Sequence, residues 1–251
     1  MGEVDTLFED EHLLIVSKPA GIVVHPTYKN KSGTMLDILL AAASGWPADT
    51  RPSIVGRLDK LTSGIVVVAK SATMHAALQR VMASRHSQKE YLAVVYGAVN
   101  EERGAIDLRL RHDPIDRRMI VASEDQGTTC LTRFERLAVV DAPRAGLSLL
   151  RCRLVTGRRH QIRVHLAARG WPIVGDPQYG EARWSQIDDP ALAATLQAFP
   201  RQALHAWRVA FTHPISGGQV TVEAAVPPDL DALLRATGLD ALAALKGPPY
   251  D

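Results

Sequence analysis

A chain of 251 residues with 46% hydrophobic and 22% charged side chains has the balance of an ordinary soluble globular protein, long enough for one large domain or two small ones. Its formal net charge of +2 is too small to mark a nucleic-acid binder, so the distribution of charge has to be followed along the chain. Cys130 and Cys152 stand without a Cys-x-x-Cys pair, which argues against structural zinc and a disulfide framework. The acidic start has no apolar signal core and no apolar run approaches membrane-spanning length, so a cytoplasmic protein is expected.

Asp5 to Phe8 and Leu13 to Ser17 read as short strands around an acidic turn. Lys18-Pro19-Ala20-Gly21 is turn chemistry, and Ile22-Val23-Val24 resumes a strand that His25-Pro26 ends. A helix is expected over Met35 to Ala43, then a loop through Gly45-Trp46-Pro47. Next comes Gly56-Arg57-Leu58-Asp59-Lys60-Leu61-Thr62-Ser63-Gly64, a polar loop with one acid between Arg57 and Lys60. It leads directly into Ile65-Val66-Val67-Val68-Ala69, mostly β-branched and without alternation, a strand buried on both faces. Loops fixed by a rigid strand are common places for chemistry, although an isolated Arg-x-Asp is ordinarily a turn cap beside a solvated charge.

Ser71 suits an N-cap, and Met74, Leu78, Val81 and Met82 then form one buried helical stripe, with His75 at the surface. Gln88 to Gly97 is a strand ending at a glycine, in which Tyr91 reads as a core aromatic. From Ala105 to Thr156, β-rich segments with turns near Gly104, Asp113-Pro114, Gly127 and Pro143 suit an antiparallel extension of the same sheet. Arg109, Arg111, Arg117 and Arg118 cluster there. Alone, such a cluster is no more than a hint of phosphate contacts.

A strand then ends at Thr156-Gly157, and a helix is expected from near Arg158 to a C′ cap at Gly170. Arg151 to Gly170 holds six arginines and no acid. Bare arginine at a helix N-terminus opposes the macrodipole, while that same end suits a phosphate. His160 and His165 are five apart, the wrong spacing for two ligands on one helix face, so no metal site is expected. Ser216-Gly217-Gly218 reads as a hairpin turn before a strand from Val220 to Ala225. Pro227-Pro228-Asp229 opens a C-terminal helix carrying Leu230, Leu233 and Leu234.

The Asp59 block resembles the His-Arg-Leu-Asp-x-x-Thr-Ser-Gly-Leu motif of the RluA-type pseudouridine synthases from Arg57 through Gly64, with Gly56 where that family has His. Lys89-x-Tyr91-x-Ala93 is similar to its second motif. Thr156-Gly157-Arg158-Arg159-His160-Gln161-Ile162-Arg163-Val164-His165 is similar to its Thr-Gly-Arg-x-His-Gln-Ile-Arg-x-His string, and Pro172-Ile173-Val174-Gly175-Asp176 continues the likeness. The resemblance implies an α+β fold: one catalytic domain over residues 1–251 on a long mixed, largely antiparallel sheet, with flanking helices and a central RNA-binding cleft. The family's extra N-terminal RNA-binding domain is not expected.

The implied activity is isomerisation of uridine to pseudouridine in a stem-loop of transfer or ribosomal RNA, by a monomer with no cofactor, metal, membrane or obligate protein partner. The implied catalytic residues are Asp59, Tyr91 and Arg163, with Arg163 pairing with Asp59. RNA contacts are implied at Arg57, Lys89, Arg158, Arg159, His160 and Ile162. A carboxylate suits a ribose carbon that becomes electron-poor as the glycosidic bond breaks, either attacking it or removing a ribose proton. Two rivals are a catalytically degenerate RNA-binding protein of the same fold and a hydrolase using Ser63. The second lacks a Gly-x-Ser-x-Gly setting.

Overall fold

The computed structural model describes residues 5–48, 50–141 and 146–239, and the turn expected near Pro143 lies outside them. The chain runs through β1 (Asp5–Glu9), β2 (Leu13–Lys18), α1 (Met35–Ala42), β3 (Ser53–Val55), β4 (Ser63–Ala69), α2 (Ala72–Ala83) and β5 (Gln88–Tyr96). It continues with β6 (Arg103–His112), β7 (Ile120–Ser123), β8 (Thr128–Val140), β9 (Leu147–Leu154) and α3 (Gln161–Ala168). Last come α4 (Pro190–Ala198), β10 (Leu204–Thr212), β11 (Gln219–Glu223) and α5 (Pro228–Ala236). Of the strand pairs with a described register, β4 with β10 is parallel and the others are antiparallel, so the expected α+β class with a mixed, largely antiparallel sheet and flanking helices is what forms. No helix among the described residues is long and apolar enough to cross a membrane.

Two compact units are present. One runs through Glu90 and includes His205–Val226; the other holds Tyr91–Leu204 and the segment from Pro227.

In the first unit β4 is the central strand, and all seven of its residues are buried. Antiparallel β2 lies along one side, with Ile15 opposite Val67. On the other side β10 pairs in parallel with its first residues and β3 antiparallel with its last. A strand bordered on both edges and covered on both faces has no solvated side, hence the unbroken β-branched run. Ile65, Val67, Met74, Leu78 and Phe211 meet in one core, with Val81 and Met82 packed at its margin. Each fully buried aliphatic there contributes roughly 1.5–3 kcal/mol relative to exposure. Ser71 caps α2 as expected, accepting from Met74 N at 3.1 Å. His75 is half-buried instead of a surface residue, its Nδ1 bonded to Ser53 Oγ at 2.8 Å.

Ile22–Val24 does not form the third strand of a meander. Its carbonyls are engaged elsewhere: Ile22 O by Lys18 Nζ, and Val23 O and Val24 O by the backbone N–H groups of Met35 and Leu36. The last two are N-terminal donors of α1 with no partner inside the helix, so the segment is drawn into capping. Gly64 sits at φ +110°, and a Cβ there would lie 2.1 Å from Ala206 O. Gly64→Ala is therefore expected to lower unfolding free energy by at least ~2 kcal/mol, because the clash is with backbone in a buried ladder. An unchanged urea midpoint would mean that β4 and β10 separate there without cost.

In the second unit the order is β5-β9-β8-β6-β7, and from β9 to β7 the pairing is antiparallel, as expected for that stretch. Gly104 lies within β6 instead of at a turn, and the Phe134 ring packs where its Cβ would be, at 2.6 Å, so the glycine answers a close approach and not a bend. The α3 helix packs on β6, β7 and β8, with Val164 against Leu110, Ile120 and Cys130. It starts at Gln161 and not near Arg158. Its end is the expected glycine cap: Gly170 has φ +76°, its N–H donates to Ala167 O at 2.9 Å, and Trp171 N–H donates to Leu166 O at 2.9 Å.

Candidate active site

In the first unit the Asp59 loop is held from three directions. Asp59 O accepts from Thr62 N at 3.1 Å, closing a tight turn. Lys60 O accepts from Gly21 N at 2.8 Å and from Lys18 Nζ at 3.2 Å. The Lys18 side chain is fully buried, and its ammonium also donates to Pro19 O at 2.8 Å and Ile22 O at 3.0 Å. A buried ammonium is tolerable only with its donors satisfied, and this one draws the Lys-Pro turn and the Asp59 loop onto the same point. Asp59 is half-buried and Arg57 is exposed.

Beyond Asp59 the motif serves structure. Ser63 is 3% exposed, and its Oγ bonds to His205 Nδ1 at 3.0 Å, with His205 Nε2 3.4 Å from Ala224 O. A proton on Nε2 shared with Ala224 O leaves Nδ1 to accept the Ser63 hydroxyl proton. That arrangement pins β4 to β10 and leaves Ser63 in no position to attack a substrate. Lys89, at the start of β5, is also engaged: its ammonium donates to Met82 O at 2.8 Å near the C-terminus of α2, where a cation complements the helix dipole. Burial lowers its pKa.

The departure at position 56 has a backbone correlate. Gly56 has φ +84°, with nothing within 4 Å of where a Cβ would stand. Space is available, but a side chain must adopt the left-handed region, at about 1–2 kcal/mol. Gly56→His is expected to lower the urea midpoint by the equivalent of about 1 kcal/mol and to leave turnover near wild type. A large fall in turnover at unchanged stability would assign position 56 to the chemistry.

In the second unit Tyr91 is half-buried on β5. The basic block resolves into distinct parts. Arg151 pairs with Glu135, Arg163 with Asp176 and Arg169 with Glu101. Arg158 and Arg159 remain exposed, with no ion pair at either side chain among the described residues. They sit on a turn that buried Gln161 staples down. Its Oε1 accepts from Arg158 N at 3.0 Å and Thr156 Oγ1 at 2.9 Å; its Nε2 donates to Leu131 O at 3.1 Å and Thr132 Oγ1 at 3.0 Å. All four of its hydrogen-bonding positions are filled. His160, the N-cap of α3, has φ +56°, and its Nδ1 lies 2.8 Å from Tyr179 Oη. A non-glycine residue held in that region marks a place where the surroundings override local preference. Ile162 is only 4% exposed, and in the chain alone its side chain is engaged in packing.

Arg163 is 3% exposed, and its Nε and Nη2 donate to the two Asp176 oxygens at 2.7 and 2.8 Å. Nη2 also donates to Gln178 Oε1 at 3.0 Å, and the guanidinium lies 4.9 Å from the Tyr179 ring centre. Burial pushes the Asp176 carboxyl up. The Arg163 bonds and charge, with the Gln178 and Tyr179 amides, more than offset this and hold its pKa below the ordinary value. Sequence reasoning saw Asp176 only as part of a familiar string; its role as the holder of Arg163 required the fold.

A family model for RNA pseudouridylate synthase matches residues 12–168, and the chain belongs to that family, whose members are isomerases. The chain is 40% identical over 237 residues to "Ribosomal large subunit pseudouridine synthase D" of Zymomonas mobilis, covering 92% of this chain and 72% of that protein. It is 42% identical over 230 residues to the like-named protein of Nitrosomonas europaea, covering 92% and 64%. "Uncharacterized RNA pseudouridine synthase YlyB" of Bacillus subtilis is 37% identical over 236 residues, covering 93% and 72%. The structure of human RNA Pseudouridylate Synthase Domain Containing 1 superposes with a TM-score of 0.71 at 24% identity, covering 99% of this chain and 97% of that one, and so shares the fold.

Proposed function

We propose that this chain isomerises uridine to pseudouridine in large-subunit ribosomal RNA, acting as a cytoplasmic monomer with Asp59 as the carboxylate at the ribose. The observation that carries the reading is Asp59 itself, half-buried on a loop that Lys18, Gly21 and Thr62 brace. The names of the Zymomonas and Nitrosomonas relatives favour ribosomal over transfer RNA.

The target uridine leaves its stack at a cost of roughly a few kcal/mol. Arg57, exposed and planar, fills the vacated place by stacking and hydrogen bonding. The bond between the ribose carbon and uracil N1 then breaks as Asp59 attacks that carbon or takes a ribose proton. Uracil turns over, carbon 5 bonds to the ribose, and the hydrogen on carbon 5 leaves as a proton, so the product is an isomer of the substrate. Arg163 serves as the cationic partner of Asp59 in that step, its positive charge set against the carboxylate. Its own orientation comes from Asp176. Tyr91 packs on the uracil, and Arg158, Arg159 and His160 bind the RNA backbone.

Transcripts of large-subunit ribosomal RNA and of transfer RNA, each incubated with the protein and digested to nucleosides, test this by chromatography. Pseudouridine has the mass of uridine at a different retention time, and it is expected in the ribosomal arm. Product in the transfer-RNA arm alone would overturn the substrate. Bound RNA without product in either arm would leave a degenerate RNA-binding protein.

A further inference from the structure

The loop His25-Pro26-Thr27-Tyr28-Lys29-Asn30-Lys31-Ser32-Gly33 carries two lysines, a histidine and no acid, and nothing in the proposed reaction uses it. Tyr28 is 93% exposed, an unusual setting for an aromatic side chain. The turn that presents it is closed. Thr27 N donates to Asn30 O at 2.8 Å, and Asn30 N returns to Thr27 O at 3.2 Å. Thr27 Oγ1 accepts from Asn30 N at 3.1 Å and from Asn30 Nδ2 at 3.3 Å. Tyr28 and Lys29 therefore stand at the tip of a braced turn.

The base of this loop is tied to the Asp59 loop. Lys18 Nζ bridges Ile22 O and Lys60 O, and Gly21 N donates to Lys60 O, so the segment that opens the loop also holds the residue after Asp59. The far end is fixed by Thr34 and Asp37, each accepting from the other's backbone N–H at the start of α1, at 3.3 and 2.9 Å. Partial burial first, then the charges of Arg57 and His75, lowers the His25 pKa.

We infer that the turn at residues 27–30 is a second RNA-contact element, in which Tyr28 stacks on an unpaired base near the target uridine while Lys29 and Lys31 bind the adjoining phosphates. Any base offers a π-face to an exposed ring, and lysines free of acidic neighbours suit a polyanion. The tip residues around Tyr28 are Thr27, Lys29 and Asn30, which do not form an apolar patch of protein-docking size. The inference rests on the RNA-isomerase reading, whose substrate it describes further.

The test uses Tyr28→Ala, Tyr28→Phe and the double variant Lys29→Ala with Lys31→Ala, on large-subunit ribosomal RNA transcripts tritiated at carbon 5 of uracil. Tyr28→Ala is expected to raise KM about tenfold with kcat within about twofold, and Tyr28→Phe to restore wild-type KM, since stacking needs no hydroxyl. The double variant is expected to reduce the slope of log affinity against log salt by about 1–2. A wild-type KM in Tyr28→Ala, or a Phe variant as weak as the Ala variant, overturns the inference. Should wild type release no tritium, filter binding of the same transcripts separates the two readings. A tenfold weaker Kd for Tyr28→Ala keeps the contact while the isomerase reading falls, and equal Kd values remove the contact as well.

Discussion

Asp59→Asn is expected to yield a protein that folds, binds RNA and releases no tritium from RNA labelled at carbon 5 of uracil. Asparagine keeps the shape of the side chain and removes charge, nucleophile and base together. The bonds that brace the loop make the comparison clean, because they use backbone atoms: Asp59 O with Thr62 N, and Lys60 O with Gly21 N and Lys18 Nζ. A residue needed only for the turn would be replaced by asparagine with little effect, since both side chains accept backbone hydrogen bonds. A carboxylate that acts on the ribose takes about a thousandfold or more of the rate with it. Tritium release at the wild-type rate would end the assignment of Asp59, whatever the chain is similar to.

The second large effect concerns Asp176, which sequence motifs alone do not single out. Asp176→Asn leaves the Arg163 guanidinium buried with one fewer charge partner and sets amide hydrogens near guanidinium donors. Breaking a buried pair in this way costs about 3–5 kcal/mol, far more than the pair is worth against an apolar replacement. Denaturation by urea is expected to show that loss, and activity is expected to fall with it as Arg163 loses the fork that orients it. The pH dependence has a definite sign. The folded Asp176 carboxyl lies below its ordinary value of 3.8, so the stability it contributes is present above about pH 4 and is lost as pH falls through the folded value. In Asp176→Asn that part of the acid destabilisation is expected to vanish. A variant as stable as wild type, with the same acid limb, would show that Arg163 does not depend on this carboxylate.

Much of the framework is legible without coordinates because it depends on short-range pattern. The unbroken run Ile65–Ala69 reads as a strand buried on both faces, and every residue of β4 is buried. Met74 and Leu78 repeat at helical spacing and reach the core; Ser71 caps their helix, and Gly170 ends α3. Each of these follows from periodicity or from the backbone freedom of one residue, which neighbours a few positions away determine. The family, too, is legible, from several motifs in order.

What only tertiary structure decided is where buried polar groups find partners. Ile22–Val24 has the composition of a strand, but its carbonyls go to Lys18 and to the first turn of α1, and no periodicity announces that. The six arginines from Arg151 to Gly170 look alike in sequence. Folding sets Arg151, Arg163 and Arg169 against acids 16, 13 and 68 positions away and leaves Arg158 and Arg159 at the surface. Lys89 and Ile162 are likewise drawn into packing that their motifs do not reveal. The reason is energetic: a buried charge or carbonyl must be paired at a cost of kcal/mol if it is not, and which partner is within reach depends on the segments that the chain brings together.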